Sequence, residues 1–150
     1  LNVNILFVCT GNTCRSPMAA ALMNEEAIKK NLDVRIESAG IMANEGECAS
    51  GGAVEVMHDY GIDLTEHKAK QITEELLKQC DLILTMTENH KKALEQYAPG
   101  KVYTLAEYAG VKCDIADPFG GDISDYRRAA GQISELVEKA AEKLEKETKQ

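Results

Sequence analysis

Residues 9–16, Cys9-Thr10-Gly11-Asn12-Thr13-Cys14-Arg15-Ser16, set a thiol, a short polar loop and an arginine side by side. A bound phosphate has three non-bridging oxygens to satisfy. Consecutive backbone N–H groups from Thr10 to Arg15 meet them if the loop curls around the anion. Gly11 and Asn12 are the residue types most tolerant of positive φ, and they permit that curl. Arg15 offers a bidentate fork to two equatorial oxygens, which lysine does not reproduce. Ser16 is placed to donate to the Cys9 sulfur. A helix end and Arg15 both favour the thiolate, which is the reactive form of the thiol. The expected chemistry is attack of Cys9 on phosphorus, giving a phosphocysteine intermediate.

Such a loop needs a strand to deliver Cys9 and a helix to receive Ser16. The apolar run Ile5-Leu6-Phe7-Val8 leads into it, and a helical pattern leads out at Pro17, a residue suited to a first turn. Four segments read as strands: residues 4–9, 34–38, 82–86 and 101–104. Helices alternate with them. Met18, Ala19, Leu22, Met23, Ala27 and Ile28 keep helical spacing. Residues 52–60 read as a helix closed by Gly61, and Thr73 caps residues 74–79. Residues 89–97 stop before Pro99-Gly100. The last helix opens near Asp122 or Ser124, with an apolar stripe through Tyr126, Ala130, Ile133, Val137, Ala140 and Leu144. Its final residues 145–150 are expected to fray. Strands alternating with helices predict an α/β chain, one doubly wound domain over residues 1–150 with a four-stranded parallel sheet flanked by helices. Ligands of such sheets sit at the carboxyl ends of strands, where Cys9 falls. There is no internal repeat, low-complexity run or linker.

The composition, 44% hydrophobic over 150 residues, is that of an ordinary globular protein. No apolar run of membrane-spanning length and no charged-then-apolar leader is present, which predicts a soluble cytoplasmic protein. Acidic residues outnumber basic ones, 25 to 17. That balance argues against nucleic-acid or membrane partners and favours a cationic macromolecule. Five cysteines, an odd and scattered set, make no disulfide framework. Cys80 reads as a small buried hydrophobe, and Cys48 and Cys113 fall in loops. His58 and His90 read as surface residues. A Gly-x-x-x-x-Gly-Lys-Ser/Thr nucleotide loop is absent. Cys9 and Cys14 lack the second cysteine or histidine pair of a metal site, so no metal is expected.

Cys-x-x-x-x-x-Arg-Ser directly after the first strand resembles the low-molecular-weight protein tyrosine phosphatase family, a resemblance that extends over nearly the whole chain. It is sharpened by Asp117-Pro118-Phe119-Gly120-Gly121, which matches the family's late Asp-Pro loop. The resemblance implies that Cys9 attacks phosphorus while Arg15 and the loop amides stabilise equatorial charge. Asp117 then protonates the leaving group and later activates water. It also implies that Ser38 and His67 brace Asn12 in left-handed geometry. No cofactor is implied, and the expected partner is a phosphorylated protein met by a monomer.

Within that family Thr13 and Phe119 resemble the bacterial protein arginine phosphatase branch, since tyrosine-directed relatives carry a bulky aliphatic residue and a tyrosine there. Threonine leaves room and a polar contact beside phosphorus, Asp117 orients a planar guanidinium, and Phe119 packs against it. Phosphotyrosine is the alternative substrate. Arsenate reduction is a weaker alternative, because Cys80 has no partner at Thr87. The leading non-enzyme reading is a phosphoresidue-binding module, against which Asp117 counts, since a binder has no use for a proton donor. Cys14 is placed to capture an oxidised Cys9 as a disulfide. Residues 41–51 are expected to shape the pocket rim.

Overall fold

The computed structural model describes residues 2–149. β1 (Val3–Cys9) runs through the middle of a four-stranded sheet, because it has the apolar sequence of a strand covered on both faces. β2 (Val34–Gly40) lies on one side of it; β3 (Leu82–Thr85) and then β4 (Val102–Thr104) lie on the other. Every pairing is parallel, with Cys9 opposite Gly40 and Val8 opposite Thr85. The chain winds first to one side of β1 and then to the other, so the switch in direction falls between β1 and β3. A crevice opens there at the carboxyl ends of the strands.

Alternation along β1 divides the core. Ile5, Phe7 and Cys9 face one layer, built from α1 (Arg15–Lys30), α2 (Gly51–Asp59), α5 (Leu105–Tyr108) and α6 (Ile123–Thr148). Leu6 and Val8 face the other, where α3 (Glu74–Gln79) and α4 (Glu88–Leu94) contribute Leu77 and Leu94. The doubly wound α/β fold expected from the alternation is present. All six stripe residues named for α6 are buried. Burying a side chain such as Val137 contributes roughly 1.5–3 kcal/mol. The stripe is therefore a main tie between α6 and α1.

Local signals place most ends. Gly61 takes φ +77 after α2, and Thr73 caps α3. β2 continues two residues past Ser38 to Gly40, because the ladder to β1 holds it. α4 starts one residue earlier than expected and stops at Leu94, the remainder being turn. Ile28, counted with the inner face of α1, is 69% exposed, since the buried stripe runs through Ala27 there and the next residue points about 100° away from it. α6 does not fray at residue 145 but continues to Thr148. Lys149 reaches across to the carbonyl of Lys30 at 2.6 Å, fastening the two helices. Gln150 lies outside the described residues. Cys80 is buried, Cys48 is exposed and Cys113 lies partly buried against Gln132.

Candidate active site

The N-terminus of α1 is built differently from a self-contained helix. Cys14 is its N-cap and makes no side-chain capping bond. The third helical residue is Pro17, which has no N–H for a cap to accept. Hydrogen bonds among the described residues use none of the N–H groups from Gly11 to Ser16 as donors. These amides converge at a helix end, where the macrodipole favours an anion.

Asn12 holds the curl. It sits at φ 58, a conformation its type tolerates better than most. Its Nδ2 donates to Ser16 Oγ and Ser38 Oγ, both at 2.9 Å, and its Oδ1 accepts the N–H of Lys70 at 2.9 Å. Its carbonyl accepts from His67 Nε2 at 2.7 Å. Ser38 and His67 are thus both brought to Asn12. Gly40 lets the strand pass this close, since a Cβ there would meet the Thr10 carbonyl at 2.5 Å.

The same network orients the nucleophile's neighbour. Ser16 Oγ receives a proton from Asn12, so its own proton is directed to Cys9 Sγ, 2.8 Å away. A hydroxyl donating to sulfur favours the thiolate. Cys14 lies with its sulfur 3.2 Å from Ser50 Oγ and 3.6 Å from Tyr126 Oη. It therefore ties the loop to the starts of α2 and α6, a connection invisible in the sequence.

Arg15 is 4% exposed although charged. Nη1 donates to the Ile115 carbonyl at 2.8 Å, and Nη2 lies 3.5 Å from Asp117 Oδ2. A buried guanidinium is held only where its donors are met, so the segment carrying Ile115 and Asp117 is locked to the phosphate loop. Asp117 is half exposed, and its Oδ1 accepts the Phe119 N–H at 3.1 Å, fixing the Asp-Pro turn.

These groups share a cavity of about 250 Å³. Buried Cys9, Thr13 and Arg15 form its base; Asp117, Glu47 and Asn44 stand higher, and exposed Met42 and Phe119 form its mouth. Residues 41–51 do contribute the rim. Phe119 is 71% exposed, with most of its ring open to solvent. Glu47 and Asn44 were not singled out by sequence, where only their loop was.

His90 departs from the sequence reading. It is 8% exposed, not a surface residue, and its Nε2 lies 2.9 Å from Thr10 Oγ1. Burial and the nearby Arg15 charge pull its pKa down to about 4. No local pattern announces this, because the partner lies 80 positions away. His58 is exposed, as expected. Among the described residues, no group of three His, Cys, Asp or Glu side chains is arranged to hold a metal ion, and no helix is long and apolar enough to cross a membrane.

A thiol receiving a hydrogen bond, convergent amides, a locked arginine and a half-exposed carboxylate together suit in-line displacement at phosphorus. Known proteins agree. The chain is 42% identical over 149 residues to the protein-arginine-phosphatase of Bacillus subtilis (strain 168), covering 97% of this chain and 99% of that protein. It is 42% identical to the low molecular weight protein-tyrosine-phosphatase PtpB of Staphylococcus haemolyticus, covering 91% and 96%. The fold is similar to a mutant YwlE arginine phosphatase with a phosphorylated active site serine. That match has a TM-score of 0.94 and 40% identity, and covers 98% of this chain and 99% of that one. Residues 4–150 match low molecular weight phosphotyrosine protein phosphatase. The chain belongs to that family and is a phosphatase.

Proposed function

We propose that the protein removes phosphate from phosphoarginine side chains of other proteins. The observation that carries this reading is the pair of carboxylates, Asp117 and Glu47, in the cavity that holds the phosphate loop. A guanidinium leaving group brings N–H donors that the Glu47 carboxylate accepts with charge assistance while Asp117 protonates the departing nitrogen, whereas an aryl oxygen brings none. Glu47 is steadied by Asn44 Nδ2 at 3.3 Å. Thr13, with its small side chain at the cavity base, leaves room for the planar group. Met42 and Phe119 offer apolar surfaces against which its faces rest.

In the proposed reaction, the Cys9 thiolate attacks phosphorus and the P–N bond breaks. Asp117 gives its proton to the departing guanidine nitrogen. Arg15 and the amides from Gly11 to Ser16 hold the equatorial oxygens. Asp117, now a carboxylate, takes a proton from water as the water attacks phosphocysteine. The S–P bond breaks, releasing orthophosphate and the thiolate, which the Ser16 hydroxyl receives. Asn12, braced by Ser38 and His67, keeps the loop curled throughout.

The likeness to the tyrosine-directed PtpB supports a second reading, phosphotyrosine. Rates on phosphoarginine and phosphotyrosine peptides of the same sequence decide between them. Phosphoarginine is expected to be cleaved at least about tenfold faster in kcat/KM, with Thr13→Ile shifting the ratio toward tyrosine. Equal or reversed rates sink the arginine reading and leave the phosphatase standing.

A further inference from the structure

A hydrogen bond between Thr10 and His90 links the phosphate loop to α4, and its polarity is fixed by what surrounds the imidazole. Nε2 lies 2.9 Å from Thr10 Oγ1. Nδ1 is fully buried and has no hydrogen-bond partner among the described residues. A proton on Nδ1 would bury an N–H with no acceptor, the costlier of the two arrangements. A neutral ring therefore carries its proton on Nε2 and donates it to Thr10 Oγ1.

The charged groups around the ring are Arg15, Asp114 and Asp117. Burial and Arg15 oppose a second proton and outweigh the two carboxylates. The backbone that carries the ring is also held in place. Thr87 Oγ1 accepts the His90 N–H at 3.2 Å, and Asp114 Oδ1 accepts the Glu88 N–H at 2.9 Å. The Met86 carbonyl accepts the Ile115 N–H at 3.1 Å. That last bond belongs to the segment whose Ile115 carbonyl holds Arg15. One extended segment, through Asp114 and Ile115, thus holds both the start of α4, which carries His90, and the Arg15 guanidinium.

A hydroxyl has a single proton. With His90 donating to one of its two lone pairs, Thr10 directs its own O–H away from the ring, and Thr10 is exposed and lines the cavity with Cys9 and Arg15. We infer that His90 makes the Thr10 hydroxyl a dedicated donor to the phosphoryl oxygens, adding a side-chain donor to the loop's backbone amides. Thr10 touches the substrate; His90 is a positioning residue that acts through it. The inference rests on the phosphatase assignment but not on the choice of phosphoarginine or phosphotyrosine.

The test uses hydrolysis of p-nitrophenyl phosphate and its inhibition by orthophosphate. Thr10→Val and His90→Phe are each expected to lower kcat/KM about tenfold and to weaken orthophosphate inhibition to a similar extent. The double variant is expected to fall no further than the worse single one, because both remove the same donor. His90→Gln, whose amide N–H reaches the same place, is expected to recover to within about threefold of wild type. Thr10 is exposed, so its variant reports on the site even if His90→Phe folds poorly. Wild-type rates and orthophosphate inhibition in Thr10→Val overturn the inference. So do single effects that multiply in the double variant. A wild-type protein that hydrolyses the aryl phosphate upholds the phosphatase assignment whichever way the variants fall.

Discussion

At the start of α6, Asp122 accepts the N–H of Asp125 while the Asp125 carboxylate accepts that of Asp122, closing the helix by itself. Ser50, Thr73, Thr87 and Thr104 each likewise accept the N–H three residues on, at the starts of α2, α3, α4 and α5. At the start of α1 the equivalent acceptor is the thiol of Cys14 and the equivalent donor is missing, because the residue three positions on is Pro17. Side-chain caps are worth about 0.5–2 kcal/mol each. The chain provides that stabilisation wherever a helix only has to be stable, and leaves it out where amides must meet a ligand. What closes α1 instead is distributed: Asn12 with Ser16, Ser38 and Lys70, His67 on the loop carbonyl, and Arg15 on Ile115.

The strongest way to break this contrast is to remove the Arg15 guanidinium at the open end while keeping a positive charge there. Arg15→Lys is expected to lower kcat on p-nitrophenyl phosphate by about 10³-fold, because a point charge replaces the planar fork that the developing equatorial oxygens need. A fall of a few degrees in melting temperature is expected alongside, because the bond to the Ile115 carbonyl is disturbed. A loss under about tenfold would mean that the amides alone carry the charge.

How much of this arrangement was legible depends on the range of the signal. The strand–loop–helix from Ile5 to Leu22 was readable because its apolar run, Asn12 and Pro17 are all local signals; of the two residues expected to take positive φ in the loop, Asn12 does and Gly11 does not. So were the Thr73 cap and the α6 stripe. His90, the Ile115 carbonyl, Ser50 and Tyr126 were not. Each acquires its role from a partner brought close only by the parallel sheet, and nothing in residues 88–94 distinguishes a buried imidazole from a solvated one. The short α5 escaped because four residues do not establish a period, although Thr104 and Glu107 do form its capping box. The local layout of the phosphate loop was therefore readable, whereas most of what holds it from a distance was not.

A smaller effect sharpens the contrast through pH. Unfolded, His90 takes up a proton near its ordinary value of 6.5; folded, it resists protonation until about pH 4. Between these values the unfolded state binds the extra proton. The stability associated with a neutral His90 is therefore complete above pH 6.5 and is lost progressively as pH falls toward 4. Melting temperatures of the wild type are expected to fall more steeply across this window than those of His90→Gln, which has no such group. Parallel curves would show that the imidazole is not held neutral against the phosphate loop.

The smallest effect is expected at the closed end. Asp122→Ala removes the half of the α6 capping box that its side chain makes to the Asp125 N–H, while residue 122 keeps the backbone N–H that the Asp125 carboxylate accepts. The melting temperature is expected to drop by a few degrees, while kcat on p-nitrophenyl phosphate stays within about twofold of wild type. The reason is geometric. Asp122 bonds only within the first turn of its own helix and to Ser124, whereas Asp117 is fixed by Phe119 and Arg15. The strand of chain between them passes through Gly120 at φ +79 and through Gly121, whose missing Cβ leaves room for the Asp125 carboxylate. A tenfold fall in kcat would show that the α6 cap also steers Asp117. The division between helix starts that stabilise and the one that catalyses would then fail at its nearest point.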